Sequence, residues 1–506
     1  MPTLVDLLAG WMPRQRWFAA KGADLSGGVH LVGRIDLPAT EPGVRVGVYL
    51  ARWAGSLYQV PLTHRPEPVE ALAGALIGVC DGAWVYDGPH DGAFVHALVA
   101  LVREQRSAGP AEGRPACALR GVRPSGGHPI PRGGTFAVLR GEQSNTSVVL
   151  DAAGSEPVIL KLFRVVHPGE NPDVVVQAAL AAAGCTRVPQ PAGWVEGTWP
   201  TDEPTDRPDE PGDRPTGEPG DRPEISRQHG HLAFVCEFLA GSRDGWSLAT
   251  EAVAAGRDFS EPARALGRVS AEVHAAMAAA LPSRPASAES LARLAADLRH
   301  RLDWALAQVP ELARTPGLAA AAHRVLELLD RPGSGGPGSG GPGSVGAAVG
   351  ALPAGARLQQ IHGDYHLGQV LHTPDRGWVV LDFEGEPLRP MAERTVPDLA
   401  LRDVAGMVRS FDYAAGHAEL TARPGEPDAA PDHLTPTEWA RRARAAYLAG
   451  YADGGGADPV ASSALLGALE LDKALYEVVY ETRNRPSWAP IPLRAVRRIT
   501  SHGPND

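Results

Sequence analysis

The feature that most constrains this chain is a pair of short strings. The first is His362-Gly363-Asp364-Tyr365-His366-Leu367-Gly368-Gln369, and the second is Leu381-Asp382-Phe383-Glu384-Gly385. The whole stretch 359–387 reads as loop, strand, turn, strand, with the apolar run Trp378-Val379-Val380 leading into Asp382. Asp364 stands five residues before Gln369 and eighteen before Asp382. Phosphoryl transfer needs such a set. One carboxylate takes the proton of the attacking hydroxyl, while a second carboxylate and an amide oxygen hold the divalent metal on the nucleotide phosphates. A lone His-Gly-Asp is only a turn; the second carboxylate behind an apolar strand makes the pattern specific. Asp364 is therefore the predicted base, Gln369 and Asp382 are the predicted Mg²⁺ ligands, and ATP is the predicted phosphoryl donor.

Three upstream features fit the same chemistry. Lys161 is centred in the apolar run Pro157–Phe163 and suits contact with the nucleotide α- and β-phosphates. Alone it would read as a solvated lysine on an edge strand. Ahead of it, Gly141, Ser144, Asn145 and Thr146 form a small polar turn whose N–H groups and hydroxyls could cover the phosphates. Between the β-rich and helical parts, Glu237 and Leu239 end an apolar strand before Gly241, where backbone groups of a hinge could bond adenine. A strand lysine of this kind needs a helix acid, and the helix that opens at Pro172 offers Glu170 or Asp173.

The rest of the chain sets bounds. It has 506 residues, 43% hydrophobic, enough for a large core in several domains. Its net charge of −11 argues against nucleic-acid backbone binding. The four cysteines, Cys80, Cys117, Cys185 and Cys236, are scattered and read as buried free thiols rather than a zinc or disulfide framework. The first twenty-two residues do not read as a secretory signal, and no run is long enough to span a membrane, so a cytoplasmic protein is expected. A monomer is expected too. The acidic, Pro-rich stretch at about 201–225 and the Gly/Ser/Pro linker at about 331–347 cannot offset their ordering entropy and read as insertions. The remainder divides into an N-terminal cap subdomain at 1–100, a β-rich nucleotide-binding lobe at 101–240 and a helical lobe at 241–506. The expected fold class is α+β, a bilobal protein-kinase-like fold with an additional N-terminal cap.

These strings, with RDVAGMVRSFDYAA, LDKALYEVVYETRNRPSWAPIPL, KLFRVVHPGENPD and WMPRQRWFAAKG, resemble the maltokinases, within the aminoglycoside-phosphotransferase and choline-kinase-like group. The likeness runs from residue 11 to residue 493, apart from the two insertions. It implies transfer of the ATP γ-phosphoryl to the anomeric hydroxyl of maltose, feeding α-glucan (glycogen) synthesis, with Mg²⁺. It assigns the same roles to Asp364, Gln369, Asp382 and Lys161. One departure stands out: the family pattern places an acid two positions after Asp173, and this chain has Val175. The lysine must then be anchored differently, with Asp173 the nearest substitute.

A disaccharide needs aromatic platforms and charged hydrogen-bonding groups. Glu477 and Glu481, and Tyr476 and Tyr480, are each four apart on the predicted final helix, with Arg485 and Trp488 at its end. Tyr480, Glu481, Arg485 and Trp488 could frame the sugar, or the rings could be core and the charges could pair. His366 could orient Asp364 or touch substrate, and Glu384 could add to the metal shell or contact substrate. Asp403 suits a brace for the catalytic loop. Two rival readings remain: a related kinase for glucosamine or another small alcohol, and a pseudokinase-type binding module. The intact Asp364, Gln369 and Asp382 argue against the second.

Overall fold

The computed structural model describes residues 2–22, 24–109, 117–139, 144–201, 227–330, 352–353, 355–386, 391–421 and 433–501. The expected insertions at 201–225 and 331–347 lie outside the described residues, apart from Thr201, and so does Gly141. The described chain divides into two compact units, one of residues 1–178 and 189–240, the other of residues 179–188 and 241–506.

The first unit holds two antiparallel sheets. The runs that alternate or stay apolar in the first hundred residues become His30–Leu37, Arg45–Trp53, Ser56–Arg65, Ala83–Asp87 and Leu76–Cys80, in that spatial order. The second sheet has seven strands: Ser107–Ala108, Ala118–Val122, Pro191–Pro200, Arg227–Glu237, Val158–Phe163, Asn145–Asp151 and Thr135–Val138. The helix Gly92–Arg103 is capped by Asp91, whose side chain accepts from the Ala93 N–H. Its buried face joins one core with residues of both sheets, including Val48, Leu50, Val148 and Leu160. Gly121 makes that packing possible, because a Cβ there would lie 2.1 Å from the Leu101 carbonyl oxygen. Lys161 sits mid-strand, opposite Phe234 on one side and Ser147 on the other, so its strand is central rather than an edge.

The second unit is helical, with two small three-stranded sheets. One comprises Arg243–Asp244, Val370–Thr373 and Gly377–Val380; the other comprises Arg284–Pro285, Arg357–Gln359 and Asp398–Leu399. The loop 362–369 runs from the second of these to the first, so both its ends are fixed by strand pairing. Helices Ser260–Ala280 and Pro436–Asp453 cross at glycines: a Cβ on Gly450 would meet the Arg264 carbonyl oxygen at 2.0 Å. The helix Ser463–Asn484 bears Tyr476, Tyr480 and Glu481. It is followed by Pro490–Ser501, so the helix expected to be last is next to last. Pro490 and Pro492 in the run APIPL hid that final helix, although Pro is well tolerated in a first turn.

Candidate active site

In the second unit the catalytic-loop string is held from beneath by Asp403, in the first turn of the helix Leu401–Thr421. The two Asp403 oxygens accept the backbone N–H groups of His362 (2.7 Å) and Gly363 (2.9 Å), and Oδ2 also contacts His274 Nε2 at 3.1 Å. Burial alone would raise this carboxyl; the His274 and loop contacts outweigh it and hold Asp403 below its ordinary pKa. His362 donates from Nε2 to the Leu381 carbonyl oxygen at 2.7 Å and packs on the Phe383 ring, which ties the loop to the Asp382 strand end. Tyr365 is buried, with its hydroxyl 2.8 Å from Ser270 Oγ, and the Leu367 N–H donates to Ser410 Oγ. Gly363 has φ +84° and would place a Cβ 3.0 Å from Gly385 Cα, so the two loops approach more closely than any other residue allows.

This scaffold brings the predicted polar groups together. Gln369 Nε2 donates to Asp382 Oδ2 at 3.1 Å. Asp382 has φ +63°, a left-handed backbone that Asp tolerates and that turns its carboxylate out of the strand. His366 Nε2 lies 3.8 Å from Asp364 Oδ2. Arg394, buried enough to push its guanidinium below its usual pKa, feels the opposing pull of Glu384, Asp382 and Asp364, so all three carboxylates converge on one neighbourhood. The donor set fits Mg²⁺ by type: a carboxylate oxygen and, once the Gln369 amide turns its oxygen in place of Nε2, an amide oxygen are hard donors suited to one small cation.

Sequence reasoning missed Lys473. Its Nζ lies 2.8 Å from Glu386 Oε1 and 3.5 Å from Asp364 Oδ1. Burial opposes the ammonium, but Glu386, Asp364 and Glu477 outweigh it and hold Lys473 well above its ordinary pKa. The signal was present: Lys473, Tyr476 and Tyr480 are spaced three and four apart, which places them on one helical face. Glu386 and Tyr476 also line a cleft of about 810 Å³ within the second unit. Tyr480 lines it too and stacks on Tyr476 at 6.4 Å.

The other three members of the expected sugar frame are elsewhere. Glu481 is buried and bonds Arg485 and the Tyr413 hydroxyl. Trp488 lies between the Arg485 guanidinium, at 4.7 Å, and the His417 ring, at 5.3 Å. None of Glu481, Arg485 and Trp488 lines the cleft. Glu481, about 100° round the helix from Tyr480, turns instead to the Tyr413 hydroxyl and Arg485.

In the first unit, Lys161 Nζ lies 3.1 Å from Asp173 Oδ2, and Gln177 Nε2 donates to Asp173 Oδ1 at 2.6 Å. Asp173 is 2% exposed, whereas Glu170 is exposed, so the acid that accompanies the strand lysine is Asp173. Thr146 turns inward, and its hydroxyl accepts from Arg164 Nε at 2.8 Å, so the structure places it in an internal network rather than at the loop tip. It is the second residue of the strand Asn145–Asp151, in which Thr146, Ser147 and Val148 are all buried. Ser144 is exposed and Asn145 half-buried. The Glu237 side chain accepts the Gln190 N–H at 3.1 Å, and Leu239 is buried.

Comparison with known proteins places this geometry. Residues 11–91 match the maltokinase N-terminal cap domain, and residues 135–460 match the phosphotransferase enzyme family. The chain is 30% identical to a glucosamine kinase of Streptacidiphilus jiangxiensis over 416 residues, covering 80% of each protein. It is 30% identical to a glucosamine kinase of Mycolicibacterium smegmatis over 440 residues, covering 80% of this chain and 94% of that one. Among solved structures, a glucosamine kinase in complex with glucosamine, ADP and inorganic phosphate superposes with a TM-score of 0.60 at 24% identity, covering 98% of this chain and 99% of the other. That likeness shows the fold, the α+β protein-kinase-like class with an N-terminal cap that the sequence led us to expect. The chain thus belongs to the phosphotransferase enzyme family and carries a maltokinase-type N-terminal cap.

Proposed function

We propose that this protein is an ATP-dependent sugar kinase that phosphorylates maltose at its anomeric hydroxyl, giving maltose 1-phosphate and ADP. The sugar O1 attacks the γ-phosphorus, the bond from that phosphorus to the β–γ bridging oxygen breaks, and the O1 proton passes to Asp364. The anomeric carbon keeps all its bonds. Gln369 and Asp382 would hold Mg²⁺, which supplies charge neutralisation on the phosphate oxygens when bound. Lys161, anchored by Asp173, is assigned to the α- and β-phosphates, with Ser144 and Asn145 in the phosphate-covering turn and the 237–239 backbone toward adenine. His366 and Glu384 are assigned to the surroundings of the acceptor and metal. The product, a glycosyl phosphate, suits consumption by an α-glucan-extending step of the kind that builds glycogen.

The observation that carries the reading is Asp364 bound through Lys473 to Glu386, which lines a cleft far larger than one hexose. The maltokinase-type cap supports the same acceptor. The relatives' names favour a second reading, phosphorylation of glucosamine. A half-buried ammonium next to the proposed base speaks for a neutral acceptor, since an amino sugar would bring a second cation close to it. A panel of maltose, glucose and glucosamine with ATP and Mg²⁺, read by ADP release and by NMR of the product, decides between them. Turnover with maltose and an anomeric phosphate ester is the expected result. Turnover with glucosamine alone would replace maltose by the second reading, and no turnover with any sugar would favour a nucleotide-binding module.

A further inference from the structure

The cleft beside Glu386 is larger than the proposed disaccharide needs. At about 810 Å³ it lies near the top of the ~300–1,000 Å³ span of small-molecule sites. Its two long walls are the helices Ala288–Gln308 and Ser463–Asn484. On the second, Tyr476 and Tyr480 stand on the cleft one turn apart. On the first, Trp304 faces the same space, half-buried. Among the described residues, the Trp304 indole makes no hydrogen bond and stacks on no other ring. A large, half-exposed ring at a cleft wall, with no aromatic partner among the described residues, is a platform for a flat, partly apolar face.

The charges on these walls narrow the ligand further. Arg402 is held by Asp398 at 2.5 Å and by Asp472 at 2.8 Å, and Arg301 is held by Asp472 at 2.7 Å. Side chains of both signs line the space, and these two arginines are compensated within the protein. Such a wall offers donors and acceptors without a net field, which suits a ligand rich in hydroxyls and without charge. The cleft adjoins the residues around Asp364: a small recess lined by Gly363, Lys473, Glu386 and Tyr476 shares Glu386 and Tyr476 with it, and Lys473 Nζ lies 3.5 Å from Asp364 Oδ1.

The geometry points to a set of acceptor subsites for an uncharged linear glucan longer than maltose. The reducing-end ring sits toward Asp364, and a ring further along the chain rests on Trp304. This inference depends on the proposed reading of a sugar acceptor at Asp364. It adds chain-length tolerance, with Trp304 as a specificity residue rather than a catalytic one.

The test uses the full chain with ATP and Mg²⁺, with maltose, maltotriose and maltotetraose as acceptors, for the wild type, Trp304→Ala and Trp304→Phe. The wild type is expected to phosphorylate maltotriose with kcat/KM within about tenfold of maltose or better. Trp304→Ala is expected to raise KM for maltotriose about tenfold with kcat nearly unchanged, and to affect maltose less; Trp304→Phe restores most of the loss. Rejection of maltotriose by the wild type, or an equal effect of Trp304→Ala on all acceptors, overturns the inference while leaving maltose phosphorylation standing. Calorimetric binding of maltotriose without nucleotide separates the two ideas. Binding that is weakened in Trp304→Ala supports the subsites even if maltose is not the acceptor phosphorylated. Absence of binding in the wild type refutes them.

Discussion

Lys473 Nζ lies 3.5 Å from Asp364 Oδ1, which sets a half-buried ammonium beside the carboxylate proposed as the base. The same ammonium bonds Glu386 at the cleft. A cation so placed selects against cationic acceptors as much as it organises the base. Lys473→Met should therefore raise the ratio of glucosamine to maltose kcat/KM by about tenfold or more, while lowering activity on maltose; a Coulomb term of this kind is worth ~4 kcal/mol at 4 Å in a surface-like medium. Competition between the two sugars for wild type and variant checks it, and an unchanged ratio counts against Lys473 as a charge filter.

Asp364→Asn should lower phosphoryl transfer by ~10²–10⁴-fold, the usual worth of a positioned acid–base group, and Asp382→Asn, which removes a proposed Mg²⁺ ligand, should nearly abolish it. Asp364 is half-exposed and makes none of the loop-anchoring bonds to Asp403, so Asp364→Asn should keep the wild-type melting temperature within a few degrees. Single-turnover rates with thermal melting alongside test both. A variant that retains more than about a tenth of the wild-type rate would remove that residue from the chemistry.

Lys161 and Asp173 should act as one unit. Lys161→Met and Asp173→Asn each weaken use of ATP, and the double variant should lose less than the sum, with a coupling of ~0.5–3 kcal/mol from kcat/KM for ATP. Strict additivity would mean that the 3.1 Å contact does not position the lysine.

Glu481→Gln should separate structure from sugar recognition. Glu481 is buried against Arg485 and Tyr413 and does not line the cleft. The substitution should cost ~1–3 kcal/mol of stability while leaving maltose KM within about twofold. Urea melts and acceptor kinetics on the same preparation check both. A large rise in KM at unchanged stability would return Glu481 to the sugar site.

The first unit should be acid-sensitive at His64. This imidazole is buried with Tyr49 Oη at 3.0 Å; burial, then Arg45 and Arg34, lower its pKa to about 4. The unfolded chain, with an ordinary value of ~6.5, binds the proton first. Stability is thus fully present above that value and falls as pH drops toward 4, by at most ~1.4 kcal/mol per pH unit from this group. His64→Gln should flatten that slope in denaturant midpoints taken at several pH values between 4 and 8. An identical slope would exclude His64 as the source.

Legibility followed the range over which each signal acts. The strand at Lys161, the loop–strand–turn–strand of 359–387 and the strand runs of the first hundred residues were readable because backbone pattern is local. Asp403 was readable as a brace because its position in the first turn of a helix after Asp382 leaves it few other tasks. Lys473 was not, because it meets Asp364 across more than a hundred residues of chain and only packing of the helix Ser463–Asn484 brings it there. The frame drawn from Tyr480, Glu481, Arg485 and Trp488 does not gather around the cleft, for the opposite reason. Those residues are close in sequence, but neighbours on a helix face different ways, and only Tyr480 turned toward the cleft.

The grip of Asp403 on the His362 and Gly363 amides has an evolutionary corollary. With the base registered from below by a side chain of another helix, the walls at 288–308 and 476–484 are free to vary without disturbing it. One phosphoryl-transfer engine can then be refitted to new alcohols by exchanging wall residues alone, so acceptor preference would drift between close relatives faster than any part of the chemistry.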